Sequence, residues 1–141
     1  MASVNNITVL GNLTRDPELR FTPSGSPVVN FGIAVSRRWQ NNVGEWQEDV
    51  NYVDVVAWRS LAENCSESLK KGDRALLNGR LQMRTWETAD GQTRNKIEIV
   101  ARVVAPSLEW ATAEITKNIK AETTPSELPE EQLGEKNDIP F

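Results

Sequence analysis

The chain contains no histidine and a single cysteine, Cys65, among its 141 residues. Histidine is the commonest general base and the commonest zinc ligand, and one thiol can neither close an intrachain disulfide nor build a thiolate metal site. Most classes of enzyme therefore lose their usual catalytic groups, and we expect no catalytic residue, no metal and no other cofactor. Cys65 is expected to pack as a small buried hydrophobic residue.

Long hydrophobic runs are also absent. No stretch approaches the eighteen or more apolar residues of a membrane-spanning helix, and the amino-terminal sequence MASVNNITVLGNLTRD lacks the basic region and apolar core of a secretory signal. We therefore expect a cytoplasmic protein with no membrane partner. The single cysteine agrees with such a reducing compartment.

The net charge of −4 is concentrated at one end of the chain. Residues 1–120 contain 15 Lys/Arg and 14 Asp/Glu, whereas residues 121–141 contain one Lys and six acidic residues. This asymmetry indicates a nearly neutral folded body followed by an acidic interaction tail. From about Asn118 the sequence loses periodicity and gains Pro, Glu and Thr, which predicts a disordered tail over residues 118–141.

A β-strand pattern recurs five times in the body, either as alternation of apolar and polar residues or as clusters of β-branched and aromatic residues. Turn-forming residues separate these segments, first over residues 16–27 and last at Asp90 and Gly91. The five predicted strands are residues 4–14, 28–39, 48–58, 74–86 and 96–104.

Between the third and fourth segments the period changes to that of a short helix. Ser60 followed by Glu63 matches a capping box, Cys65 and Leu69 lie four residues apart, and Gly72 follows as a stop signal. Five strands with one helix in this place predict an all-β fold, a five-stranded Greek-key barrel of the oligonucleotide-binding type. The run SLEWATAEITK after Pro106 fits either a sixth strand or a short helix, and we assign residues 1–117 to the domain, with 106–117 as an extra segment.

Tryptophan is frequent, with five in the chain. On the fourth predicted strand, Trp86 shares a face with Arg80 and Arg84, which are costly to bury unpaired, so this face is expected to be open to solvent. Exposed indoles beside guanidinium groups suit unpaired nucleic acid, whose bases stack and whose phosphates attract cations. Trp46 and Trp110 are expected to pack in the core. The candidate residues for binding single strands are Trp39, Tyr52, Trp58, Trp86, Arg37, Arg80, Arg84, Lys70 and Lys71.

Two further features leave alternatives open. Lys70 and Lys71 are explained equally well by favourable charge at the C-terminus of the helix. The final residues, GEKNDIPF, end in an apolar tip that suits a partner's apolar pocket with the terminal carboxylate held by a basic group, although chance composition explains it too. The candidate residues for partner binding are Asp138, Ile139, Pro140 and Phe141.

The chain resembles the bacterial single-stranded DNA-binding protein family, and actinobacterial members in particular, over nearly its whole length. The resemblance rests on VLGNLTRDPELRFTPSG, VVNFGIAVSRRW, VVAWRSLAENCSESLKKGDRALLNGRL and the terminal DIPF. It implies an oligonucleotide-binding barrel without enzymatic activity. It also implies a homotetramer that covers single-stranded DNA at the nucleoid during replication, recombination and repair.

The same resemblance implies roles for individual residues. Aromatic residues at the positions of Trp39, Tyr52, Trp58 and Trp86 stack on bases in the family. Basic contacts correspond to Lys70, Lys71 and Arg84, and the DIPF tip corresponds to the part that recruits replication and repair proteins. PSLEWATAEITK resembles the extra segment that forms an additional strand and clasps a neighbouring subunit in actinobacterial members.

Two other classes of function remain as alternatives. The first is a protein-interaction adaptor on the same fold that works mainly through its tail. The second is a magnesium-dependent nuclease that uses carboxylates, although nothing in their spacing gathers them. The candidate carboxylates for this nuclease are Asp16, Asp49, Asp54 and Asp90.

Overall fold

The computed structural model describes residues 2–119 of the chain. Within these residues it contains six β-strands and one α-helix. The elements are β1 (Ile7–Leu13), β2 (Glu18–Phe21), β3 (Pro27–Gln40), β4 (Trp46–Trp58), α1 (Arg59–Ser68), β5 (Arg74–Glu87) and β6 (Thr93–Pro106). The four long strands form two antiparallel hairpins, β3–β4 and β5–β6.

Five of these strands close into a barrel. The sheet order is β1-β5-β6-β4-β3-β2, and β1 pairs additionally with β3, where Asn12 lies opposite Ala34. A parallel pairing of β4 with β6 joins the two hairpins, with Asp54 opposite Glu98. Because α1 follows the third barrel strand and precedes the fourth, the arrangement confirms the predicted oligonucleotide-binding barrel.

The predicted barrel strands end within about three residues of the observed ones, but β2 was predicted as a loop. This strand has only four residues and lies between two turn-forming segments, so it is too short to show periodicity. It forms by pairing with β3, where Glu18 lies opposite Asn30. The loop prediction is therefore wrong. Pairing with the longer strand β3 forms β2, although the sequence of β2 alone shows no strand pattern.

Alternation along the strands builds the core. Odd-numbered side chains of β3 and β4 point inward, and Phe31 packs there opposite Val55. Leu77 of β5 and Ile99 of β6 complete the centre, and all four side chains are almost wholly buried. Each large apolar side chain removed from water stabilises the fold by about 1.5–3 kcal/mol, so this register excludes a one-residue slip.

Two glycines allow the barrel to close. A Cβ on Gly11 would collide with the backbone carbonyl of Ala34, and a Cβ on Gly79 would collide with that of Val100. Gly79 also follows the irregularity in the β5–β6 register, between Asn78 and Gly79. Side chains are absent where strands approach each other most closely, which is the usual role of glycine inside a strand.

Helix α1 covers one end of the barrel, where Ala62, Cys65 and Leu69 are buried in the core. Burial raises the pKa of the Cys65 thiol to about 11, so the thiol stays protonated at neutral pH. The predicted capping box is wrong, because Trp58 occupies the N-cap position and no side chain caps the helix. The helix begins at Arg59, one residue before Ser60, so Ser60 lies inside the first turn.

Residues 107–119 form neither the strand nor the helix that their sequence suggested. They form an irregular segment held by a few polar contacts, including an ion pair of 2.6 Å between Arg74 Nε and Glu109 Oε1. A hydrogen bond of 3.2 Å from Asn118 Nδ2 to Asn64 Oδ1 fixes its far end beside α1. Within residues 2–119, no helix combines the length and apolarity that crossing a membrane requires.

Candidate nucleic-acid interface

One side of the sheet carries most of the predicted binding residues. Even-numbered residues of β4, β5 and β6 point away from the core, because their odd-numbered neighbours fill it. We call this side the outer face and define it by the even-numbered residues 52–58, 80–86 and 94–100. The register therefore brings together Tyr52, Trp58, Arg80, Arg84 and Trp86.

Trp86 and Arg84 form the clearest unit on the outer face. The Arg84 guanidinium lies 5.2 Å from the centroid of the Trp86 ring, within cation–π range. Both side chains are exposed, because β5 and β6 extend beyond the core as a two-stranded arm. The guanidinium covers part of the indole, and only its Nε faces a carboxylate, that of Glu98 at 3.6 Å. Its Nη groups stay available, so a base and a phosphate can be bound side by side.

Strand β4 contributes two further aromatic side chains. Tyr52 is 74% exposed and Trp58 is 44% exposed, and the even spacing between them places both on the outer face. Tyr52 lies opposite Ala34 and Trp58 lies opposite Val28, so the neighbouring side chains on β3 are too small to cover these rings. A flat, uncovered ring at each position is suitable for stacking.

The hairpin of β3 and β4 also extends beyond the core, as a second two-stranded arm, and Trp39 and Arg37 lie on it. Both are odd-numbered, so strand alternation puts them on the side opposite to Tyr52. They form a pair of their own, with the Arg37 guanidinium 4.3 Å from the Trp39 ring centroid. Arg37 also makes an ion pair of 3.5 Å with Asp49 on the facing strand. The structure thus places this predicted pair on the reverse of the arm.

Lys70 and Lys71 lie at the other end of the barrel. They follow α1, and their backbone N–H groups donate hydrogen bonds of 2.9 and 2.8 Å to Asp73 and Asp16 respectively. Arg74 begins β5 immediately afterwards, and about 40 Å of extended strand separates it from Trp86. The lysine side chains are exposed, but they do not join the aromatic residues of the outer face.

The centre of the outer face is occupied by ion pairs. Asp54 accepts contacts from Lys96 Nζ at 2.9 Å and from Arg15 at 3.3 Å, and Arg84 Nε lies 3.6 Å from Glu98. Partial burial raises the pKa of the Asp54 carboxyl, but the hydrogen bonds and charges of Lys96 and Arg15 outweigh it and hold that pKa below its usual value. Asp54 is therefore ionised at neutral pH.

Comparison with known proteins identifies the family. A model of the Single-strand binding protein family matches residues 4–107, which is most of the chain. The chain belongs to this family. Membership agrees with the expectation of a non-enzymatic protein, because members are DNA-binding proteins that carry out no reaction.

Relatives and a solved structure agree with this assignment. The chain is 50% identical over 103 residues to "Single-stranded DNA-binding protein 2" of Chlorobaculum tepidum, which covers 72% of the chain and 70% of that protein. It is 44% identical over 119 residues to the "Single-stranded DNA-binding protein" of Mycobacterium tuberculosis, covering 83% and 73%. The fold resembles the solved structure "Plasmodium falciparum SSB complex with ssDNA", with a TM-score of 0.69, 22% identity, and coverage of 76% and 97%.

Two tryptophans of this family member were wrongly expected in the core. Trp46 is 62% exposed and Trp110 is 80% exposed. Each has an arginine over its ring, Arg38 at 5.2 Å from Trp46 and Arg74 at 5.0 Å from Trp110. The sequence signal that could have found Trp46 is its even number on β4, which it shares with Tyr52 and Trp58.

The other predicted sites fall into two groups. The partner-binding residues Asp138, Ile139, Pro140 and Phe141 lie outside the described residues. In the part of the chain that is described, no three Asp, Glu or Cys side chains gather into a group that could hold a metal ion. The carboxylates considered for a nuclease, Asp16, Asp49, Asp54 and Asp90, accordingly form no such group.

Proposed function

We propose that the chain binds single-stranded DNA on its outer face, without marked sequence preference. The observation that carries this proposal is the placement of Trp86, Arg84 and Tyr52 on one exposed side of the sheet. Every base has a flat π-face, so stacking on an indole or phenol tolerates any sequence. Membership of the family, and the DNA that its relatives' names specify, support the same function.

In the proposed complex, bases stack on Tyr52, Trp58 and Trp86, and Arg80 and Arg84 bind phosphates between them. The pair of Trp39 and Arg37 on the reverse of the β3–β4 arm then contacts the strand where it passes around the arm. Lys70 and Lys71 contact phosphates at the far end of the barrel. Such a path, from one end of the barrel to both sides of an arm, requires the DNA to wrap around the protein rather than cross it.

The proposal extends to assembly and to cellular role. Four chains form a homotetramer that protects single-stranded DNA at the nucleoid, in the cytoplasm, during replication, recombination and repair. The tip formed by Asp138, Ile139, Pro140 and Phe141 recruits the proteins that process this DNA. The separation of a nearly neutral body from an acidic end supports this division of labour, because the acidic end repels DNA and is left to contact proteins.

Titration with oligo-dT tests the function directly. Binding should quench tryptophan fluorescence at low salt, because stacked bases contact the indoles. Replacing Trp86 by Ala should weaken binding by about five- to 150-fold, which corresponds to the roughly 1–3 kcal/mol of one stacked base. Trp86→Phe keeps a ring and should lose much less. An unchanged fluorescence of the wild-type chain would contradict the function, whereas normal binding by Trp86→Ala would remove only Trp86 from the site.

A further inference from the structure

Two carboxylates lie side by side in the middle of the outer face. Asp54 of β4 is the register partner of Glu98 on β6, so both side chains project from adjacent strands on the same side of the sheet. Tyr52 and Trp58 flank Asp54 along β4, two and four residues away. Any strand of DNA that runs from Tyr52 to Trp58 must therefore pass a negative charge.

Three cations are held by these carboxylates. Each Asp54 oxygen has its own partner, Oδ2 with Lys96 at 2.9 Å and Oδ1 with Arg15 at 3.3 Å. Glu98 is only 6% exposed, and its Oε1 lies 3.6 Å from Nε of Arg84. Lys96 and Arg15 would otherwise be available to phosphates, since both are partly exposed at the surface where the bases stack.

Arg15 reaches Asp54 by a route that the backbone leaves open. It belongs to the loop between β1 and β2, and its guanidinium passes over Gly32 of β3, which is the register partner of Asp54. A Cβ on Gly32 would lie 2.7 Å from Arg15 Nη1, so a larger residue would displace this side chain. The absence of a side chain at Gly32 thus leaves room for the ion pair between Arg15 and Asp54.

We propose that Asp54 restrains DNA binding by holding Lys96 and Arg15 away from phosphates. This inference rests on the proposed function and assigns to Asp54 a role in setting the affinity for DNA. Glu98 differs from Asp54, because it is buried and its one ion pair, with Arg84 at 3.6 Å, is longer than either ion pair of Asp54. Asp54 is 34% exposed, so a phosphate that approaches Lys96 meets the carboxylate as well and must compete with it.

The test compares Asp54→Asn with Glu63→Gln in the full-length chain. Both substitutions remove one negative charge, but Glu63 is an exposed residue of α1 and makes no ion pair among the described side chains. Asp54→Asn should bind oligo-dT and oligo-dC about three- to tenfold more tightly at low salt, because two cations become free. Glu63→Gln should stay within about twofold of the wild type.

Salt dependence gives a second measurement. A cation that newly contacts a phosphate of a single strand steepens the plot of log K against log salt by about 0.7, so the two freed cations should add up to about 1.4. The measurements are made where circular dichroism shows every variant to be folded. Asp54→Ser, which removes the same charge with less bulk, should change affinity in the same direction.

The outcomes separate this inference from the function on which it rests. Failure of the wild-type chain to bind either oligonucleotide would contradict the proposed function itself. If the wild type binds but Asp54→Asn matches Glu63→Gln, the inference is wrong, because only overall charge matters. Weaker binding of folded Asp54→Asn to either oligonucleotide also overturns it, since Asp54 would then contact a base or order the site.

Discussion

Four of the five tryptophans of this protein each have the side chain of one arginine over the ring. Among the described residues, Trp39, Trp46, Trp86 and Trp110 each have a guanidinium within 5.2 Å of the ring centroid. A cation–π contact of this kind contributes only about 0.5–1 kcal/mol at an exposed site. That is enough to favour one rotamer of an indole that no core contacts hold by a factor of about two to five.

Arg59 is a residue of a different kind, because its backbone is strained. It is the only non-glycine residue in the described part of the chain with a positive φ, 63°, and it joins β4 directly to α1. An L-residue in this left-handed conformation costs about 1–2 kcal/mol relative to glycine. The absence of any capping side chain at the start of α1 means that nothing local offsets this cost.

Arg59→Gly should therefore stabilise the fold. We expect the free energy of unfolding to rise by about 1 kcal/mol, measured by urea denaturation at a fixed protein concentration. Arg59→Ala is the matched control, because it removes the guanidinium but keeps the strain, and it should change stability by less than about 0.5 kcal/mol. A glycine variant no more stable than the alanine variant would show that the backbone strain at this position is negligible.

Strands could be predicted from the sequence where their two faces differ in composition. The sequence did not show where a strand leaves the core. Alternation identified β3 because Val29, Phe31 and Ile33 all enter the core. Alternation also puts Leu81 and Met83 on the same side of β5 as Leu77, yet both are exposed, because β5 and β6 run on beyond the core as an arm. Periodicity reports which side chains share a face, but not where along a strand that face leaves the barrel.

Site residues show the same limit. The group on the outer face was predictable, because Arg80, Arg84 and Trp86 lie on one side of β5 and the two arginines are costly to bury unpaired. The ion pairs of Asp54 were not, since they join β4, β6 and the loop before β2, which are far apart in sequence. The register between β4 and β6 supplies this information, and no local pattern encodes it.

Close packing of the sheet predicts different losses of stability when two of its glycines are replaced by alanine. In Gly79→Ala the new Cβ meets the backbone carbonyl of Val100, which cannot move without breaking the β5–β6 ladder. In Gly32→Ala it meets only the side chains of Thr14 and Arg15. We expect Gly79→Ala to lower the free energy of unfolding by about 2–3 kcal/mol and Gly32→Ala by less than about 1 kcal/mol. Equal losses in urea denaturation would contradict this distinction.

At the scale of the whole molecule, the described chain leaves an apolar row uncovered. Leu10 of β1 lies opposite Leu76 of β5, which lies opposite Ala105 of β6, and all three residues point away from the core. Val103 joins this row because the register shift after Asn78 changes the parity of β6. Leu76 is 39% exposed and Val103 is 52% exposed, on a sheet face where polar residues are usual.

The proposed homotetramer explains why this row is apolar, because a second copy of the chain can cover it. Native mass in solution, measured by light scattering, should be about four times the 15.8 kDa of one chain. Leu76→Lys should lower that mass, since an uncompensated charge would be buried in the interface. Val43→Lys is the control, because Val43 is 76% exposed in the turn between β3 and β4, away from the row.

Assembly and DNA binding should respond separately to this change. The row and the aromatic residues occupy different parts of the barrel, so a folded Leu76→Lys chain should still show quenching by a short oligo-dT that one chain can hold. It should bind a long oligo-dT more weakly, because linked sites raise the effective concentration of each other and a separated chain loses that gain. If Leu76→Lys keeps the wild-type mass, the row is not the surface that joins the copies.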